Sequence, residues 1–153
     1  MMYAEDFPVG VRRELGSTTL DEAAAIRFAT EFDPQDFHID RAAAERGYYG
    51  GIIASGWHTC SLTMRVMVDN YLSRAAALGS PGIDELRWLK PVRPGDTLTV
   101  FSTVQDIRNS KSKPDRALIT TLTEVQNQTG EVVMTMRGMT MMLRRPAAAP
   151  AAG

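Results

Sequence analysis

Cysteine occurs once in the 153 residues, at position 60, and histidine twice, at 38 and 58. A single thiol cannot close an intramolecular disulfide, which fits a reducing compartment, and the expected location is cytoplasmic. Asp33, His38 and His58 lack the spacing of a zinc motif, so no metal is expected. An excess of charge of one sign is missing too: Lys and Arg number 17 against 18 for Asp and Glu, a formal net charge of −1. Nothing global draws the chain to nucleic acid or to an anionic membrane. No apolar run is long enough to span a bilayer. The opening stretch MMYAEDFPVG is acidic and has neither the basic nor the apolar region of a secretory signal.

What is present suits one globular domain. Hydrophobic residues make up 44% and charged residues 23%, and the length is enough to bury a core. Residues 1–145 are expected to form this domain. The tail PAAAPAAG at 146–153 offers no core residue and is expected to be disordered.

A short strand is expected from Val11 to Leu15. Thr19, with Glu22 three residues on, reads as a capping box opening a helix whose apolar stripe is Ala25, Ile26, Ala29 and Phe32. Pro34 ends that helix, because the residue before a proline is pushed out of the α region. IDRAAAERG adds one or two turns, stopped at Gly47. Ser55 is an N-cap candidate for a long helix running to about Ala76. Its apolar residues spread over so much of the circumference that we expect it to be enclosed. The rest reads as four antiparallel strands, with turns at Pro94-Gly95-Asp96 and QNQTGE. In the last strand the apolar residues change parity at Gly138, as a β-bulge there would require. A curved sheet wrapped around the long helix, an α+β architecture, buries both halves.

Two stretches carry candidate chemistry. In EFDPQDFHID, Asp33 leaves the helix at the proline and His38 returns five residues later. A carboxylate beside an imidazole can hold a water and move its proton. The plain alternative is a carboxylate bonding loop amides and a structural histidine. In IIASGWHT, Gly56 falls in the first turn of the long helix, where free N–H groups and the positive end of the dipole favour a developing oxyanion. The alternative is a glycine that eases helix–sheet packing. Ser55 and Trp57 flank Gly56 and are expected to touch substrate. Arg87, Lys90 and Arg93 are expected to meet phosphates, or else to be solvated strand-end charges. His58, Cys60 and Trp88 read as packing residues.

FDPQDFHID, GGIIASGWHT and LRWLKPVRPGDTL, in that order, resemble the MaoC-like dehydratases, a hot-dog-fold family that includes the (R)-specific enoyl-CoA hydratases. The resemblance runs from FPVG to about Leu143. Many members carry an aspartate, then Asn-Pro, then a histidine five residues after the aspartate. Here the spacing is kept, the proline adjoins Asp33, and Gln35 stands where the asparagine usually is. The resemblance implies a hot-dog fold with an antiparallel sheet around the helix of residues 56–76. It also implies a homodimer or higher oligomer joined sheet edge to sheet edge, with acyl-CoA near the interface. Asp33 and His38 match the catalytic pair, and Gly56 matches the glycine whose N–H polarises the thioester carbonyl. Some hydratases have a serine further along the helix, where this chain has Met64. The implied reaction is the reversible hydration of a trans-2-enoyl-CoA to a 3-hydroxyacyl-CoA, with no cofactor beyond the CoA of the substrate. The alternatives are a hot-dog thioesterase, for which Asp69 would be the helix carboxylate, and a non-catalytic acyl-CoA-binding protein.

Overall fold

Strict alternation marks the longest strand: Leu98, Val100, Ser102 and Val104 are buried while their neighbours are not. The computed structural model describes residues 1–147, so most of the expected tail lies outside the described residues. Six strands form one antiparallel sheet: β1 (Arg12–Thr19), β2 (Ala77–Gly79), β3 (Ile83–Trp88), β4 (Thr97–Asn109), β5 (Arg116–Gln126) and β6 (Val132–Leu143). The order is β1-β4-β5-β6, and β2 and β3 share the far side of β6. Helices α1 (Glu22–Phe32), α2 (Asp36–Ile39), α3 (Arg41–Arg46) and α4 (Gly56–Asn70) lie between β1 and β2. The fold is α+β, a hot dog with α4 as its central helix.

Several local expectations need correction. The cap of α1 is Asp21, whose side chain accepts from the Ala24 N–H at 2.9 Å. Thr19 stays in β1, where its hydroxyl meets that of Thr97, because strand pairing reaches further than Leu15. Helix α4 stops at Asn70, six residues early. Leu72–Arg74 make a 3-10 turn and Ala77–Gly79 pair with β6 instead. Strand β6 is not bulged at Gly138: its pairing with β5 keeps one register from Arg116↔Leu143 to Val125↔Met134. The irregularity there sits in β3, between Ile83 and Glu85.

The main core joins Leu20, Ala25, Val66, Val92, Val100 and Val133, so α4 is pinned to the sheet through Val66. At Gly16 (φ +148°) a Cβ would lie 3.0 Å from the Asn70 amide nitrogen. The missing side chain therefore lets the end of α4 seat on β1. A second cluster of Phe7, Val104, Ile119 and Met142 closes the other end.

The expectation of an enclosed helix fails. The buried face of α4 is His58, Thr59, Thr63, Val66 and Met67, while Trp57, Met64 and Val68 are exposed. One sheet covers one face of a helix and leaves the other bare. The buried Thr63 hydroxyl is satisfied within the helix by the Thr59 carbonyl, at 2.8 Å, so a polar residue is tolerated inside. No helix among the described residues is long and apolar enough to cross a membrane.

Candidate active site

Pro34 breaks α1, and Asp33 is left as its C-cap. The single turn of α2 then carries His38 back toward it. His38 is buried; its Nδ1 lies 2.7 Å from the Ile53 carbonyl oxygen and its Nε2 3.2 Å from Asp33 Oδ2. A carbonyl oxygen only accepts, so Nδ1 carries a proton. The Nε2–Oδ2 contact is then attractive only with a further proton between the two atoms. Two more donors fix the carboxylate. Gln35 Nε2 donates to Oδ1 at 2.7 Å, and Ser55 Oγ donates to Oδ2 at 2.8 Å. Oδ2 thus has both lone-pair positions occupied, and Oδ1 keeps one open.

Burial raises the Asp33 pKa, but the hydrogen bonds from Gln35 and Ser55 and the neighbouring His38 outweigh it. The net shift is downward. The carboxylate is held ionised, within 3.2 Å of the imidazole Nε2.

The N-terminus of α4 abuts this pair. No backbone acceptor among the described residues takes the N–H of Gly56 or Trp57. Gly56 is covered by Trp88, whose indole N–H donates to the Gly56 carbonyl at 3.0 Å. A Cβ at Gly56 would lie 2.4 Å from the Trp88 ring. Packing of Trp88 is therefore one reason for this glycine. An open cavity of about 500 Å³ joins Asp33, His38, Gly56, Trp57 and Lys90, with Trp88 at its side.

The other expected site residues fall elsewhere. Ser55 is wholly buried, makes no side-chain cap bond, and serves Asp33 from behind the cavity wall. Arg87 and Arg93 do not line the cavity: Arg87 pairs with Glu85 at 3.0 Å, and Arg93 donates to the Tyr49 carbonyl at 2.7 Å. Lys90 does line it, and is ion-paired with Glu131. Asp69 pairs with Arg65 on the outer face of α4, away from the dyad. Cys60 packs its sulfur 3.6 Å from that of Met134, and burial pushes its thiol pKa up. Among the described residues no three His, Cys, Asp or Glu side chains converge as metal ligands. Phe37, Tyr48, Tyr49 and Val92 line the cavity and had no signal in the sequence beyond their nearness to the two motifs. The Gln35 bond to Asp33 shows what replaces the usual asparagine.

The fold and this pair define a hot-dog domain with a carboxylate–imidazole dyad beside the N-terminus of its central helix. The family model "MaoC like domain" matches residues 8–127, and the chain belongs to that family. A MaoC-like dehydratase from Rhodospirillum rubrum superimposes with a TM-score of 0.87 at 44% identity, covering 96% of this chain and all of that one. An (R)-hydratase from A. caviae involved in PHA biosynthesis shares the fold, with a TM-score of 0.68 at 24% identity over 94% of this chain and all of that one. Mesaconyl-CoA hydratase from Cereibacter sphaeroides is 40% identical over 75 residues, 49% of this chain and 22% of that protein. The match thus spans about a fifth of that relative's length.

Proposed function

We propose that the chain catalyses the reversible hydration of a trans-2-enoyl-CoA to a 3-hydroxyacyl-CoA. The reading rests on one observation above others: a carboxylate with one open lone pair, 3.2 Å from an imidazole nitrogen, beside the N-terminus of α4. Water bound to Asp33 Oδ1 gives up its proton there as its oxygen bonds the β carbon. The electron pair of the double bond moves onto the thioester oxygen, and the Gly56 N–H receives that enolate. The α carbon then takes the proton held at His38 Nε2. Asp33 then gives the proton on Oδ1 to water in the open cavity, His38 Nε2 takes one up from water, and the dyad is restored. The thioester acidifies its own α position, so acid, base and carbonyl donor suffice. Lys90, half-exposed at the mouth, would meet the CoA phosphates.

The test is incubation of the purified protein with crotonyl-CoA. Loss of the conjugated absorbance without release of free thiol is expected; thiol release would instead mean ester hydrolysis. Asp33→Asn and His38→Gln should each lower turnover by ~10²–10⁴ while leaving the melting profile cooperative. Folded variants with near wild-type turnover would remove the dyad from the reaction.

A further inference from the structure

A serine just before a helix usually turns its hydroxyl onto the helix itself, accepting from the N–H two or three residues on. Ser55 stands in that place before α4 and makes no such bond. It is wholly buried, so bulk water does not reach its hydroxyl either. The hydroxyl donates instead to Asp33 Oδ2 at 2.8 Å, 22 residues back in the chain. The N–H of His58 is taken by the Ser55 carbonyl at 2.9 Å, and that of Trp57 has no backbone acceptor among the described residues. The placement of this hydroxyl is therefore set by the carboxylate and not by the helix.

Three donors hold Asp33, and they differ in how long they last. Gln35 reaches Oδ1 from an exposed position at the start of α2, where water competes for its amide. His38 Nε2 lies 3.2 Å from Oδ2, while its Nδ1 donates to the Ile53 carbonyl. In the hydration proposed above, Nε2 gives its proton to the α carbon. From that moment an acceptor faces an acceptor, and the contact with Oδ2 turns repulsive. The Ser55 hydroxyl carries no proton in the reaction. It is then the one donor left to Oδ2 among the described residues. Asp33 at that stage holds the proton taken from water on Oδ1. The torsion that turns a carboxyl group is soft and two-fold, so an unheld group would exchange its oxygens and carry that proton out of the cavity.

We infer that Ser55 is a positioning residue: acting through Asp33, it keeps Oδ1 turned to the cavity while the proton of His38 is away. This rests on the hydration reading above. Ser55 does not line the cavity, so it is asked for no contact with substrate. Burial raises the Asp33 pKa, and Gln35, Ser55 and His38 lower it, so loss of one donor moves it back up.

Ser55→Ala removes the hydroxyl and adds no atom to a closed site. With crotonyl-CoA across a pH series, the acid limb of kcat/KM should move to higher pH, because Asp33 protonates sooner with one donor gone. The plateau should fall by on the order of 10²-fold, the result of misplacing a reacting group. In the Asp33→Asn background the same change should cost nothing further. Thermal unfolding of the same samples shows that the variants are folded. A limb that stays in place, or a full extra loss on top of Asp33→Asn, would overturn the inference, since a serine that only fills space moves no limb. Carbon-13 NMR of the Asp33 carboxyl, titrated in wild type and Ser55→Ala, reads the same bond without turnover. A higher Asp33 pKa in the variant, with no enoyl thioester hydrated by wild type, would sink the reaction and leave the hold of Ser55 on Asp33 standing. Equal pKa values beside normal hydration by wild type would sink the inference and leave the reaction standing.

Discussion

Asp33 is held by Gln35, Ser55 and His38, and each of these contacts favours its ionised form. Its folded pKa lies below the ordinary carboxylate value. The contribution to stability is therefore fully present above the unfolded pKa, about 4, and is lost as pH falls through the lower folded value. Melting temperatures taken from pH 7 to pH 3 should show the gap between wild type and Asp33→Asn closing below about pH 4. A gap that did not depend on pH would contradict the network. Gly56 makes a different prediction. Alanine there meets the Trp88 ring at 2.4 Å, and the ring cannot withdraw without breaking its bond to the Gly56 carbonyl. Gly56→Ala should lose roughly 1–3 kcal/mol, the usual range for overpacking. Trp88→Ala should relieve most of that loss, seen as a coupling term in a double-mutant cycle. Strict additivity would show that the two residues do not press on each other. The aspartate and histidine were legible because a six-residue loop around one proline brings them together. Ile53 and Ser55 were not legible as their partners. They lie 15 and 22 residues away, and their approach depends on where the Gly-rich segment folds back.

At the scale of elements, α4 shows how a helix can mislead. Its apolar residues point to an enclosed cylinder, yet His58, Thr59 and Thr63 face inward while Trp57 and Met64 face out. Hydrophobicity says which residues favour burial; the number of layers packed around the helix says which ones get it. His58 stacks on Phe28 of α1, with ring centroids 4.8 Å apart and planes 10° from parallel, and its Nδ1 has no partner. Burial lowers its pKa. The unfolded chain therefore protonates this histidine first, and stability falls as pH drops from about 6.5. His58→Phe keeps a ring against Phe28 and removes the orphaned nitrogen. It should be neutral or stabilising by about 1 kcal/mol, with a flatter melting temperature between pH 7 and pH 5. A loss of several degrees at pH 7 would mean that the imidazole has a role in the core beyond filling space.

At the scale of the molecule, the sheet has two unlike edges. On the β3 side, Ile83 and Trp88 are exposed, as are Trp57, Met64 and Val68 on the outer face of α4. An edge strand with apolar neighbours invites pairing with another copy. Light scattering at micromolar concentration should give at least a dimer, and Val68→Lys should shift the balance toward monomer. A wild-type monomer under these conditions would contradict the pairing.

Much of this protein is carried by local rules that short stretches of chain obey. Proline ended α1, alternation set the strands, and the spacing from Asp33 to His38 was enough to suggest acid–base chemistry. The decisions left to packing were those in which distant residues compete for one partner. Lys90 and Arg93 found their partners, the Glu131 carboxylate and the Tyr49 carbonyl, 41 and 44 residues away in the chain, where only the fold brings them close. The same holds for Ser55, which serves Asp33 because α4 begins beside α2, and for Gly56, which is bare partly because Trp88 arrives from a strand 32 residues further on.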